Sequence, residues 1–253
     1  IKYTTVSSFV FSFYLGIFIF TSTAGTLLFK KKEYVKNALT SSFGILIICA
    51  TMMAISNIFF ITAIKTTIVA NVVIIFSTSA LFSSLIAYLL YKEKMTRNIF
   101  YASFFMFIGL FIIFSDELSF GSMEGNIYAL LCTILFSVSF VLLSKYKEMD
   151  RVVLTALSGV ALSVITYFLS DDLKIDTTNL LIVMSMGLVI SSISRVLIGN
   201  GAKYISASEV SLLMLIETIM APIWVWIFLN EIPSANTYIG GSIIILTLIV
   251  NSL

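Results

Sequence analysis

The chain reads as an all-α polytopic membrane protein made of two inverted repeats of five transmembrane helices, nine of them visible. Three observations predict this. The 253 residues are 59% hydrophobic and 11% charged, with a mean hydropathy of +1.08, far outside the range of a soluble domain. The cations gather in alternate polar breaks, and a shift of 138 residues lays the later part of the chain over the earlier part without a gap.

About 20 apolar residues cross a hydrocarbon core of about 30 Å. Nine such stretches lie near 8–29, 41–63, 69–91, 97–115, 125–145, 151–169, 179–200, 207–229 and 235–252. Lipid offers no partner to backbone N–H and C=O groups, so every span is expected to be helical. The breaks "KKKEYVKN", "YKEKMTRN", "SDELSFGSMEG" and "SDDLKID" hold most of the charge and read as connections.

Cations near span ends stay preferentially in the cytoplasm. One side collects Lys30, Lys31, Lys32, Lys36, Lys92, Lys94, Arg97, Lys145, Lys147, Arg151 and Lys203, while the other holds Lys2, Lys65 and Lys174 with most of the carboxylates. This eleven-to-three split makes the first side cytoplasmic and predicts a cytoplasmic C-terminus in the cell inner (plasma) membrane.

With the shift applied, "AIKTTIVANVVIIFSTSALFSSLIAYLLYKEKMT" from Ala63 lies on "GAKYISASEVSLLMLIETIMAPIWVWIFLNEIPS" from Gly201. Lys65 meets Lys203, Val72 meets Val210, Glu93 meets Glu231, and the intramembrane Asn57 meets Arg195. The matched helices are five spans apart, so the halves point in opposite directions across the membrane. The halves divide as 1–118 and 119–253. The span at 125–145 then calls for a partner before residue 8, so the first repeat is expected to lack its first helix in this chain.

Several function classes lose support. The net charge of +2 gives no basic patch for nucleic acid, there is no histidine, and Cys49 and Cys132 sit in apolar runs as small buried hydrophobes. No phosphate-binding glycine loop is present, and no cofactor is called for. The first apolar run leads into more of the same rather than a cleavage site, so it reads as a span.

The polar residues inside the spans carry the functional expectation. A centrally placed charge costs about 2.5 to 3.5 kcal/mol to insert, so Arg195 and Glu217 should face inward. Ser191, Ser192 and Gly199 share the Arg195 face, and Trp224 shares the Glu217 face. The two charges form either a structural ion pair or the core of a central cavity, with Arg195 receiving an anionic group and Glu217 a cationic group or a proton. Asn57 and Asn71 either read substrate through their amides or tie helices together. Ser77, Thr78, Ser79, Ser83 and Ser84 read as a packing surface, and Gly240 and Gly241 as sites of close helix contact. Trp224 either anchors at the interface or walls the cavity.

"YISASEVSLLMLIETIMAPIWVWIFLNE", residues 204–231, resembles the second repeat of the EamA-type proteins of the drug/metabolite transporter superfamily: Glu217, Ala221, Pro222, Trp226 and Glu231 match its pattern in order and spacing. Thr218 departs from it, standing where proline commonly follows the glutamate. "LFSSLIAYLLYKEKMT", residues 81–96, is similar to the matching end of the first repeat. The resemblance implies two five-helix halves around a central cavity and movement of a small metabolite, often outward. The expectation is therefore a carrier rather than an enzyme. It would move an amino acid, an amino-acid derivative or a nucleoside-like compound through the lipid bilayer by alternating access, coupled to a proton or an exchanged metabolite, as a monomer or homodimer. The competing readings are a membrane-embedded enzyme on a lipid substrate and a non-transporting structural subunit.

Overall fold

A computed structural model of the chain describes residues 1, 4–30, 32–40, 43–92, 97–117, 123–201, 224, 227 and 234–252. Its regular elements are helices: α1 (Ser8–Leu28), α2 (Lys32–Thr40), α3 (Phe43–Thr66), α4 (Val69–Ser77), α5 (Ser79–Tyr91), α6 (Arg97–Glu117), α7 (Met123–Lys145), α8 (Arg151–Leu169), α9 (Thr177–Ser185), a π-helical turn (Met186–Ser191), α10 (Ser192–Gly201) and α11 (Ala235–Ser252). Six stretches among the described residues are long and apolar enough to cross a membrane: Ser8–Leu28, Phe43–Thr66, Asn71–Tyr91, Met123–Lys145, Arg151–Leu169 and Thr177–Leu197. Phe104–Ile113 and Ala235–Thr247 are shorter apolar helical stretches. The chain is a multi-pass membrane protein.

Three elements differ from the sequence expectation. The break "KKKEYVKN" contains helix α2, whose first turn holds Glu33, a placement that favours the positive end of the helix dipole. Its Tyr34 hydroxyl donates to the Asp150 carboxylate beside α8. The span expected at 69–91 is divided at Thr78. There the Ser77 and Thr78 hydroxyls bond back to the Ile74 and Ile75 carbonyls at 2.6 Å, the local competition that bends helices. The span at 179–200 is interrupted by the π turn, where the Ser192 hydroxyl reaches the Gly187 carbonyl at 2.6 Å and Ser22 of α1 takes the Leu188 carbonyl at 2.7 Å. The expected span at 207–229 falls outside the described residues, apart from Trp224 and Ile227, both helical.

The chain divides into two compact units, Ile1–Ile61 with Leu142–Tyr204, and Thr62–Val141 with Ile205–Leu253. Each unit therefore draws on both halves of the sequence.

In the first unit, Phe11, Leu15 and Ile19 of α1 pack with Ala54, Ile58 and Ile61 of α3, Leu162 of α8 and Val183 of α9. The spacing of four along α1 puts its three residues on one face. α1 crosses α8 with backbone against backbone. A Cβ on Gly16 would stand 2.6 Å from the Gly159 carbonyl oxygen, and one on Gly159 would stand 2.8 Å from that of Gly16. Ser163 donates to the Phe13 carbonyl at 3.0 Å, and Gly159 lies against Phe20. Residue numbers thus rise along α1 as they fall along α8, so the helices are antiparallel.

The second unit repeats the motif. A Cβ on Gly240 of α11 would lie 2.5 Å from the Gly109 carbonyl oxygen of α6, and one on Gly109 would lie 2.8 Å from that of Gly240. Ile113 abuts Gly240 and Ile244 abuts Gly109, so α6 and α11 are also antiparallel. Gly241 packs on Ile74, so both glycines expected at close contacts are found there. The 138-residue shift lays α8 on α1 and α11 on α6. Equivalent helices crossing antiparallel are what an inverted repeat requires.

α7 lies beside α4 and α5 in parallel, bound by a polar stripe. Thr67 donates to Asn126 Oδ1 at 3.2 Å, and the Ser137 hydroxyl donates to the Ser79 carbonyl at 3.0 Å. Phe82 of α5 meets Phe107 of α6 edge to face at 5.9 Å. Cys49 and Cys132 are buried thiols.

Gly16→Leu should cost about 1–3 kcal/mol or unfold the protein, because the added side chain meets backbone on a facing helix. Gly25→Leu, at a position where a Cβ meets nothing within 4 Å, is the control; thermal unfolding in detergent compares them. A second test uses pH. Asp176 caps α9 by accepting from the Asn179 side chain and, at 3.2 Å, from its backbone N–H. These bonds, the side-chain one foremost, hold its carboxyl below the usual range. A lowered folded-state pKa means the cap contributes above the ordinary carboxylate range and is lost as pH falls through the depressed value. Protection of the Asn179 amide against exchange, taken relative to its intrinsic rate at each pH, should therefore fall in acid, and Asp176→Ala should remove that pH dependence.

Candidate functional site

The expected site residues divide between the two units. Arg195 lies on α10 and Asn57 on α3, both in the first unit, while Asn71 on α4 and Trp224 belong to the second. Glu217 lies outside the described residues, so the expected reach from Arg195 to its carboxylate falls there too.

Arg195 is placed by the end of the π turn. Its Nη1 faces the Ser158 hydroxyl of α8 at 3.5 Å, the outer limit of a hydrogen bond. Ser158 is buried and donates in turn to the Thr155 carbonyl at 2.8 Å. The guanidinium can offer five donors, and this weak contact is its one hydrogen bond among the described residues. Ser158 is the neighbour that the sequence reading did not single out. Its position directly before Gly159, at the α1 crossing, was the available signal: small residues cluster where membrane helices approach closely.

The two asparagines, similar in the sequence, have different surroundings. Asn71 is fully buried, and its Oδ1 accepts from the Thr237 hydroxyl of α11 at 2.7 Å. Thr237 belongs to the capped start of α11, where Ser234 accepts from the Thr237 N–H at 3.1 Å. That oxygen ties α4 to α11. Asn57 Oδ1 is buried with no hydrogen-bond partner among the described residues. It is an unused acceptor, and a buried polar atom left in that state needs an explanation.

Trp224 is helical and half-exposed at 50%. Of the serine and threonine cluster, Ser77 and Thr78 bond carbonyls of their own helix, and the Ser79 carbonyl accepts from Ser137 of α7 at 3.0 Å. An open hollow of about 730 Å³ lies in the first unit, lined by Val6, Tyr14 and residues 172–176. Its acidic groups are engaged, Asp172 with Lys174 at 3.0 Å and Asp176 with Asn179.

Arg151, which the charge pattern counted among the loop cations, is buried, with 4% exposed. Its Nη2 donates to the Leu143 carbonyl at the end of α7, at 2.8 Å. It thereby satisfies one of the carbonyls that a helix C-terminus leaves free.

These features can be set beside known proteins. No curated protein matches the chain. A solved protein structure is similar over 99% of this chain and 89% of its own, with a TM-score of 0.70 and 15% identity; at that identity the likeness shows the fold. The family model of the EamA-like transporter family matches residues 1–115 and again 123–253, so both halves carry it. Covering nearly the whole chain in two repeats, that match makes this protein a member of the EamA-like transporter family, a membrane transporter of the drug/metabolite type.

Proposed function

We propose that the protein carries a small polar or amphipathic metabolite across the inner membrane by alternating access. The substrate is an amino acid, an amino-acid derivative or a nucleoside-like compound, and the carrier works as an exporter or exchanger with its C-terminus in the cytoplasm. A proton or a counter-transported metabolite supplies the coupling. The observation that carries this reading is Arg195: a cation in an apolar helix whose hydrogen bonding among the described residues is one hydroxyl at 3.5 Å. A charge at that depth is costly unless it meets a partner, and an anionic substrate group is such a partner for part of the cycle. In this reading Glu217 receives the cationic group or proton and Asn57 offers an oxygen that has no partner among the described residues, with Trp224 a further contributor and Asn71, whose oxygen is taken by Thr237, contributing through the tie of α4 to α11.

Alternating access needs binding energy that differs between the two end states. A pair of opposite charges supplies it, because closure removes water and strengthens the interaction. The family membership supports transport, and the distribution of cations supports the orientation.

Arg195→Ala and Glu217→Gln should each lower substrate counterflow in proteoliposomes by at least about tenfold, equivalent to ~1.4 kcal/mol of lost interaction, while leaving the protein folded. Unchanged transport in both variants would sink the assignment. The asparagines should separate by stability. Asn71→Leu strands the Thr237 hydroxyl and should cost about 1–3 kcal/mol, whereas Asn57→Leu should leave thermal stability level or raised and weaken substrate binding.

A further inference from the structure

We propose that Arg151 is the receptor for a phosphate group at the cation-rich end of the first unit, supplied by an anionic phospholipid headgroup or by soluble phosphate. Arg151 opens α8, is 96% buried and has one described hydrogen bond, from Nη2 to Leu143. Its Nε and Nη1 are buried with no acceptor among the described residues. A guanidinium in this state is a cation withdrawn from water with most of its donors unused, which folded proteins avoid unless another acceptor completes it.

The adjacent carboxylate does not complete it. Asp150 Oδ1 accepts from the Val152 and Val153 N–H groups at 2.9 Å each, and Oδ2 accepts from the Tyr34 hydroxyl. Cys49, buried in α3, is also within electrostatic reach of Arg151, but a thiol is a weak acceptor.

The surroundings favour an anion. Lys30 and Lys147 on the connections, Lys32 at the start of α2 and Lys145 at the end of α7 are exposed, against the exposed carboxylates Glu33 and Glu148. Leu28 and Phe29, 85% and 93% exposed, lead into Lys30, so apolar surface gives way abruptly to cations. That transition suits the depth of lipid phosphates, and basic residues directly beyond a span attract anionic headgroups. Phosphate offers several acceptor oxygens to a planar fork of N–H groups, the pairing for which arginine is suited.

The test uses the full chain in phosphatidylcholine nanodiscs, the same nanodiscs containing phosphatidylglycerol, and phosphatidylcholine nanodiscs with inorganic phosphate added, with thermal unfolding as readout. Phosphatidylglycerol should raise the midpoint of the wild-type protein, Arg151→Gln should lose most of that shift, and Arg151→Lys should keep part of it. An Arg151-dependent shift with inorganic phosphate alone assigns the site to soluble phosphate instead of lipid. A shift equally large in Arg151→Gln, or one abolished by Lys145→Gln with Lys147→Gln while Arg151 is intact, overturns the proposal in favour of diffuse charge attraction. Should Arg151→Gln fail to fold, mass spectrometry of lipid retained by wild-type protein through detergent exchange decides: selective retention of phosphatidylglycerol supports the site. No selectivity together with no shift from either additive overturns it.

Discussion

Two crossings, Gly16 on Gly159 and Gly109 on Gly240, bring backbone against backbone between helices far apart in the chain, and the rest of each compact unit is arranged around them. In lipid the association of helices gains little from burying apolar surface, because the tails are as apolar as leucine. Close approach and dispersion have to supply it. Each contact is mutual, the first glycine meeting the second's carbonyl oxygen and the reverse, so neither position has room for a side chain. An inverted repeat thus becomes a packing device: each unit joins a helix to its own counterpart.

Within this frame the polar side chains divide by whether their bonding is complete. Hydroxyls on α4 and α7 return to carbonyls of their own helices, and Ser137 reaches across to Ser79. Asn71 and Thr237 satisfy one another across two helices. Such groups hold helices in register at little cost. Arg195, Asn57 and Arg151 have weak or missing partners among the described residues, as do the buried hydroxyls of Ser12 and Ser170 and the Asn126 amide nitrogen, and of these only the arginines carry a charge. Incomplete bonding in a low-dielectric medium is expensive, which makes these positions the natural places for something outside the chain to bind.

The interruptions in the helices follow the same logic. Around Thr78, at the π turn and near Gly187, backbone groups that leave the regular pattern are taken by hydroxyls of the same or a facing helix. Irregular backbone survives in a membrane only where protein supplies such partners. The π turn also has a functional bearing. It sets the phase of α10, and with it the face on which Arg195 approaches Ser158 of α8.

Much of this protein is written in its composition and spacing. Long apolar runs between short charged breaks determine helices, because no other open segment satisfies its backbone in lipid. The offset of 138 residues pairs α1 with α8 and α6 with α11, and the "MLIETIMAP" region carries the family likeness. What the linear pattern left open was which polar groups are spent. Asn57 and Asn71 look alike as letters, but a neighbour 166 residues away occupies Asn71, while the Asn57 oxygen has no partner among the described residues. Arg151 reads as one more surface cation until α7 and α8 fold over it. The physical reason is range: insertion into lipid depends on a run of about twenty residues, whereas hydrogen-bond satisfaction depends on atoms that only the packing of distant helices brings within about 3 Å.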